Sequence, residues 1–184
     1  AQQRVSIYTA HTANIVERLL PEFEKATGIK ADVVKAGSGD IINRVRAESA
    51  NPKADVIWSI GAELLEANTD LLEAYQPKEH AMIADAFKTT GPWLPYTGIL
   101  NVFVVNTKKL KPEEYPKTWM DLAQPRFKNL VSMADAEKSG SAYMQLNTFL
   151  TIYGDKPAGW DKFKDVFKNL NVSGSSGAVP RFVS

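Results

Sequence analysis

The chain has 184 residues, enough for one large domain or two small ones, and its 44% hydrophobic, 23% charged and 10% aromatic content is that of a globular protein with a core to bury. A formal net charge of +1 excludes a global basic field for nucleic acid and an acidic tail, so any anion site must be local. The absence of cysteine excludes disulfides, thiol catalysis and cysteine zinc sites, and no apolar run approaches about 20 residues, so nothing reads as membrane-spanning.

The start, Ala1-Gln2-Gln3, lacks an initiator Met and reads as a mature end left after signal-peptide cleavage, with an arbitrary boundary as the alternative. Val5 to Tyr8 reads as a strand. A helix follows from Thr12 to Thr27, with Ile15, Leu19, Leu20 and Phe23 on one face, Pro21 as a kink or break, and Gly28 as its stop. Ala31 to Lys35 is a second strand. Gly37-Ser38-Gly39 is a turn, and Asp40 is expected to cap the helix that carries Ile41, Ile42 and Val45. Ala54 to Trp58 is a third strand with a continuous apolar run, as in a buried parallel sheet, and Gly61 to Ala67 is helical. This βαβαβ order predicts an open α/β sheet, whose ligands sit beyond the carboxyl ends of the strands. Thr9 to Thr12, Gly37 to Asp40 and Ser59 to Ala62 lie there.

Further on, Gly91 to Tyr96 is irregular, and Ile99 to Asn106 reads as a strongly apolar strand. A proline-punctuated stretch runs from Lys111 to Lys128, with Lys108 to Glu114 as a solvated face. Leu130 to Ala134 is another strand, and helices follow at Ser141–Tyr153 and Pro157–Leu170, both with apolar residues at helical spacing. The expected division is residues 1–98 as a first α/β lobe, 99–106 as a hinge crossing strand, and 107–184 as part of a second α/β lobe.

Three expected helix starts are rich in glycine and serine: Gly37-Ser38-Gly39-Asp40, Ser139-Gly140-Ser141-Ala142 and Ser173-Gly174-Ser175-Ser176-Gly177. A helix N-terminus offers unpaired N–H groups and a partial positive charge, and glycine lets a ligand reach the backbone, so each can hold an anion without a cationic side chain. Any one of them alone reads more readily as an ordinary capped turn; three in one chain shift the balance toward a shared cleft. His11, after the first strand, could bind a metal, donate to an anion or cap the next helix, whereas His80 reads as solvated surface. Trp58, Trp93, Tyr96 and Tyr143 could stack on a ligand or belong to the core; Tyr143 directly follows the Ser139–Ala142 turn. No nucleophile elbow, no histidine pair at metal spacing and no P-loop is present, which lowers the prior for an enzyme.

Taken together, "RVSIYTAHTANIVERLLPEFEKATGIKADVVKAGSGDIINRV", "ADVIWSIGAELLEA", "GILNVFVVNTKKL", "YPKTWMDLAQPRFKNLVSMADAEKSGSAY" and "NVSGSSGAVPRFV" resemble the ferric-iron and organophosphate group of type II periplasmic solute-binding proteins of ABC importers. The run Pro116-x-x-Trp119-x-Asp121-Leu122, with Pro125 and Lys128, is its most specific piece. The resemblance implies two α/β lobes (a Venus flytrap) with the ligand between them, a periplasmic location, an ABC permease in the inner membrane as partner, and no catalysis. It implies no cofactor and no nucleic-acid partner. Ferric-ion binders of the group use a His after the first strand, which His11 matches, and a Glu after the third, where Ser59-Ile60 stand and Glu63 lies a helical turn on. A hard trivalent cation wants anionic oxygen ligands, so the branch that takes up sugar phosphates and phosphonates fits better. The expected ligand is a small phosphorylated organic anion such as a hexose phosphate; a ferric ion is the alternative, and an α/β enzyme acting on a phosphate ester is the rival from another class.

The residues expected to bind the ligand are His11, Ser38, Gly39, Asp40, Ser59, Ser139, Gly140, Ser141, Ala142, Tyr143, Ser175 and Ser176, with no metal ligand among them. Because the resemblance implies a longer chain, a missing C-terminal part or a second chain is expected to complete the fold.

Overall fold

The structure is a computed structural model and describes residues 3–184; the reading of Ala1-Gln2 as a processed end lies outside the described residues. The chain divides into two compact units, Ala1–Ile99 and Leu100–Ser184.

The first unit is built on β1 (Arg4–Thr9), β2 (Lys30–Lys35) and β3 (Val56–Trp58), in the order β2-β1-β3 and all parallel. Being central, β1 supplies the core: Ile7, Tyr8 and Thr9 are buried, whereas β2 is largely open to solvent. Between the strands run α1 (Ala13–Thr27) and α2 (Ser38–Ala47), and α3 (Ala62–Glu66) follows β3. Helix α1 stops at Gly28, whose φ of 73° is the left-handed conformation that glycine adopts without steric penalty. It runs undivided through Pro21, so of the expected kink or break the break does not occur. Helix α2 begins one turn earlier than expected. Gly37 is its N-cap and Ser38 its first residue, so Asp40 lies within the first turn and does not cap it. Its seat is fixed from below. Ile41 and Ile42 are buried, and the Tyr8 hydroxyl, itself in the core, donates to Glu48 just past the helix end at 2.9 Å.

In the second unit β4 (Val131–Ala134) and β5 (Leu170–Ser173) pair in parallel, packed by α4 (Gly140–Tyr153), α5 (Pro157–Phe167) and the short α6 (Val179–Val183). Phe149, fully buried, centres the core with Leu122 and Val166, and Trp119, Tyr153 and Phe163 pack their rings around it. Helix α5 ends before Leu170, which was expected to be its last apolar position but instead opens β5. Asn169 holds that change of direction: buried, it donates from one amide nitrogen to Leu122 O at 2.8 Å and Gln124 O at 2.9 Å.

The Pro116–Leu122 run is structural. Thr118 caps a 3₁₀ turn, accepting from the Asp121 N–H, while the Asp121 carboxylate accepts from the Lys117 and Thr118 N–H groups at 2.8 Å each. Those donors hold the Asp121 carboxyl below its ordinary range.

Residues 99–106 form no strand. Their backbone has no ladder partner among the described residues, and Leu100, Val102 and Val104 are exposed. An apolar, β-branched sequence specifies a strand only where a second strand is there to take its hydrogen bonds.

Candidate ligand-binding site

In each unit the parallel register brings the expected site residues to one sheet edge. Thr9 stands opposite Lys35 on one side and Trp58 on the other. The ladder extends one step further through Ala10 N–H to Trp58 O (3.3 Å) and Ala36 N–H to Thr9 O (3.2 Å). His11, the start of α2 and Ser59 therefore all leave the same carboxyl edge. In the second unit Ala134 pairs with Ser173, and Asp135 N–H donates to Ser173 O at 2.7 Å, so the turn into α4 and the Ser175–Ser176 turn also share an edge.

Ser139 is the N-cap of α4, and its buried hydroxyl accepts from the Ala142 N–H at 3.4 Å while its carbonyl accepts from the Tyr143 N–H at 2.9 Å. Ala142, also buried, packs under Met133 and Ala134. Two of the four groups expected to face a ligand are therefore occupied in making the helix end. The N–H groups of Gly140 and Ser141, and the Ser141 hydroxyl, are what this end still offers. In α2 the Ile41 N–H returns to Gly37 O at 3.0 Å, leaving Ser38, Gly39 and Asp40 at the open end, with Ser38 buried. The Asp40 carboxylate sits within that first turn, where it offsets the attraction of the helix end for an anion.

The third expected helix start is smaller than the other two. Ser175 caps a single 3₁₀ turn, Ser176–Ala178, accepting from the Gly177 N–H at 3.3 Å, and α6 beyond it has five residues. The Ser173 hydroxyl donates to Ser175 O at 2.7 Å and ties the loop to its strand.

His11 is half-buried, and its N–H donates to the Thr9 hydroxyl at 3.1 Å. Burial lowers the imidazole pKa. Its ring stands edge-on to Trp58, with centroids 4.6 Å apart, and Nε2 is hydrogen-bonded to the Tyr96 hydroxyl. The expected donation to an anion thus meets a partner already in place, and Tyr96 is the neighbour that the sequence did not connect to His11. Trp93 lies elsewhere, donating to Glu66 at 2.7 Å, and His80 is paired with Gln76 on a 3₁₀ turn. No group of three or more His, Cys, Asp or Glu residues that could hold a metal ion occurs among the described residues. No helix among them is long and apolar enough to cross a membrane.

Parallel α/β layers with glycine- and serine-bearing helix starts at their carboxyl edges define a class: ligand-binding α/β proteins of the open-sheet kind. The sequence pattern of the family described as bacterial extracellular solute-binding protein matches residues 51–181, and the chain belongs to that family. Within it the chain has the α/β fold of the type II periplasmic binding proteins. It is similar to an uncharacterized protein of Haemophilus influenzae, 34% identical over 192 residues, covering 98% of this chain and 55% of that protein. It is 29% identical to iron uptake protein A1 of Synechocystis over 71% of this chain and 37% of that one. Among solved structures it resembles the periplasmic binding protein AfuA from Actinobacillus pleuropneumoniae with fructose 6-phosphate bound: TM-score 0.82, 27% identity, all of this chain and 60% of AfuA. The chain thus spans between 37% and 60% of the length of these relatives.

Proposed function

We propose that this chain is part of the substrate-binding component of a bacterial ABC importer that captures a small phosphorylated organic anion, a hexose phosphate foremost. The observation that carries it is the start of α4. A fourteen-residue helix presents the Gly140 and Ser141 N–H groups and the Ser141 hydroxyl at its positive end, beside an N-cap already satisfied by Ser139. Glycine at the first helical position lets a phosphate oxygen approach the backbone. Ser38 and Gly39 are the first unit's donors, and the Asp40 carboxylate there suits a ligand hydroxyl better than a phosphate. Tyr143, Ser175 and Ser176 are further contacts. A hydrogen bond to a charged group contributes about 1.5–3 kcal/mol. Three to five of them reach the roughly 8 kcal/mol of a micromolar constant.

The similarity to AfuA with its sugar phosphate supports this reading, and the similarity to an iron uptake protein keeps ferric ion as the rival. Two observations favour the phosphate. Serine and isoleucine stand at positions 59 and 60, where the resemblance would place the carboxylate of a ferric-ion binder, and the His11 Nε2 that a metal would need is bonded to Tyr96. Periplasmic capture and delivery to an inner-membrane permease belong to the same proposal. Calorimetry on the full-length protein tests it. Fructose 6-phosphate should bind at micromolar affinity or better, and Gly140→Val should abolish that binding with little change in melting temperature. Unchanged binding by the variant would reduce the α4 start to a helix cap.

A further inference from the structure

The carboxyl edge of the first sheet carries a constellation that an anion site does not require. His11 lies between two larger rings, edge-on to Trp58 and, at a centroid distance of 5.9 Å, to Tyr96. Its position is fixed at three points: its N–H on the buried Thr9 hydroxyl, its ring against the indole, and its Nε2 on the Tyr96 phenol. The chain leaves β3 beside Trp58 through Ser59, a residue with a Cβ held at φ 67°. Left-handed backbone at a non-glycine position costs on the order of 1 kcal/mol and persists where the surroundings enforce it. Core packing does not account for Tyr96, which is 55% exposed on a stretch without regular structure while its hydroxyl is held. An exposed aromatic ring with an anchored polar tip is a preorganised contact surface, because little side-chain freedom is left to lose on binding.

We infer that Tyr96, backed by His11 and Trp58, is a recognition wall for the uncharged, polyhydroxylated part of the ligand, and that His11 acts as a positioning residue. The Tyr96 ring covers the C–H face of a sugar ring. Its hydroxyl donates its proton to His11 Nε2, and its oxygen accepts from a sugar hydroxyl. A neutral imidazole, favoured by the burial of His11, can take that proton in the tautomer that carries its own on Nδ1. The inference rests on the reading that the ligand is a phosphorylated sugar; it assigns the sugar to this wall, apart from the helix starts assigned to the phosphate.

Calorimetry on the full-length protein with two probes, fructose 6-phosphate and inorganic phosphate, separates the parts. Tyr96→Ala should weaken fructose 6-phosphate binding at least tenfold and leave inorganic phosphate within about twofold of wild type. Tyr96→Phe, which keeps the ring and guards against a folding defect, should lose several-fold on the sugar phosphate alone. His11→Leu should match Tyr96→Phe, His11→Gln, which retains an acceptor, should recover most of the loss, and the His11→Leu/Tyr96→Phe double variant should be no worse than either single one. If Tyr96→Ala and Tyr96→Phe bind fructose 6-phosphate as wild type does, the wall is overturned while the receptor reading stands. If the wild-type protein binds neither probe, the receptor reading falls and takes the wall with it.

Discussion

At single residues, serine does two different jobs around α4. Ser139 spends its hydroxyl on the Ala142 N–H and its carbonyl on the Tyr143 N–H, so its loss should be felt in folding: Ser139→Ala should cost about 1 kcal/mol, read from denaturant unfolding. Ser141, past the cap, should be felt in binding: Ser141→Ala should weaken fructose 6-phosphate about tenfold, one charged hydrogen bond, with stability unchanged. The sequence pointed to the turn, because serine and glycine at a helix start are a local signal. It could not divide labour within it, because that depends on which N–H groups the cap itself consumes. His11 was legible only as a histidine after a strand; Tyr96, 85 positions on, is brought to it by tertiary structure. Burial lowers the His11 pKa below its usual 6.5, so the unfolded chain takes up a proton more readily than the folded one. The stability associated with the neutral ring is present above pH 6.5 and declines as pH falls below it. Thermal unfolding across pH 7.5 to 5 should show that decline, and His11→Gln should flatten it.

Among the elements, those with strong periodicity and clear stops were legible. Helix α1 has its apolar face and its glycine stop, and α4 its cap and its long run of apolar positions. Strand β5 was hidden because Leu170 continues the helical spacing of Val166 and Phe167, and what ends the helix is Asn169 bonding two distant carbonyls. The approach of α5 to the end of α4 was equally invisible. It depends on Gly159, where an added Cβ would lie 1.7 Å from Gly154 O. Gly159→Ala should therefore destabilise by about 1–3 kcal/mol through forced displacement of backbone, against the usual gain from alanine in a helix. Phe149→Ala, which empties the centre of the same core, should cost about 3–5 kcal/mol. Both are read from equilibrium unfolding. Residues 99–106 erred in the other direction: the sequence has a strand's composition, and the described residues offer it no partner.

For the molecule as a whole, those unpaired residues border a groove of about 350 Å³ in the second unit, lined by Val102, Val104, Leu130, Val131 and Phe182 among others. An apolar surface of that kind beside an unpaired segment invites association. The 184-residue chain alone should self-associate at micromolar concentration, and a monodisperse monomer by light scattering would contradict this. The α/β class and the family followed from the order of elements and a few sequence runs, since strand–helix alternation is a pattern of the chain itself. The ligand did not follow, since glycine- and serine-bearing helix starts accept many oxyanions. The central claim is that the full-length protein is a receptor for a phosphorylated organic anion, and native mass spectrometry of the protein as purified from its native host tests it most directly. The account predicts an adduct with the mass of a sugar phosphate that is absent from Gly140→Val; bound iron in its place, persisting in that variant, would contradict it.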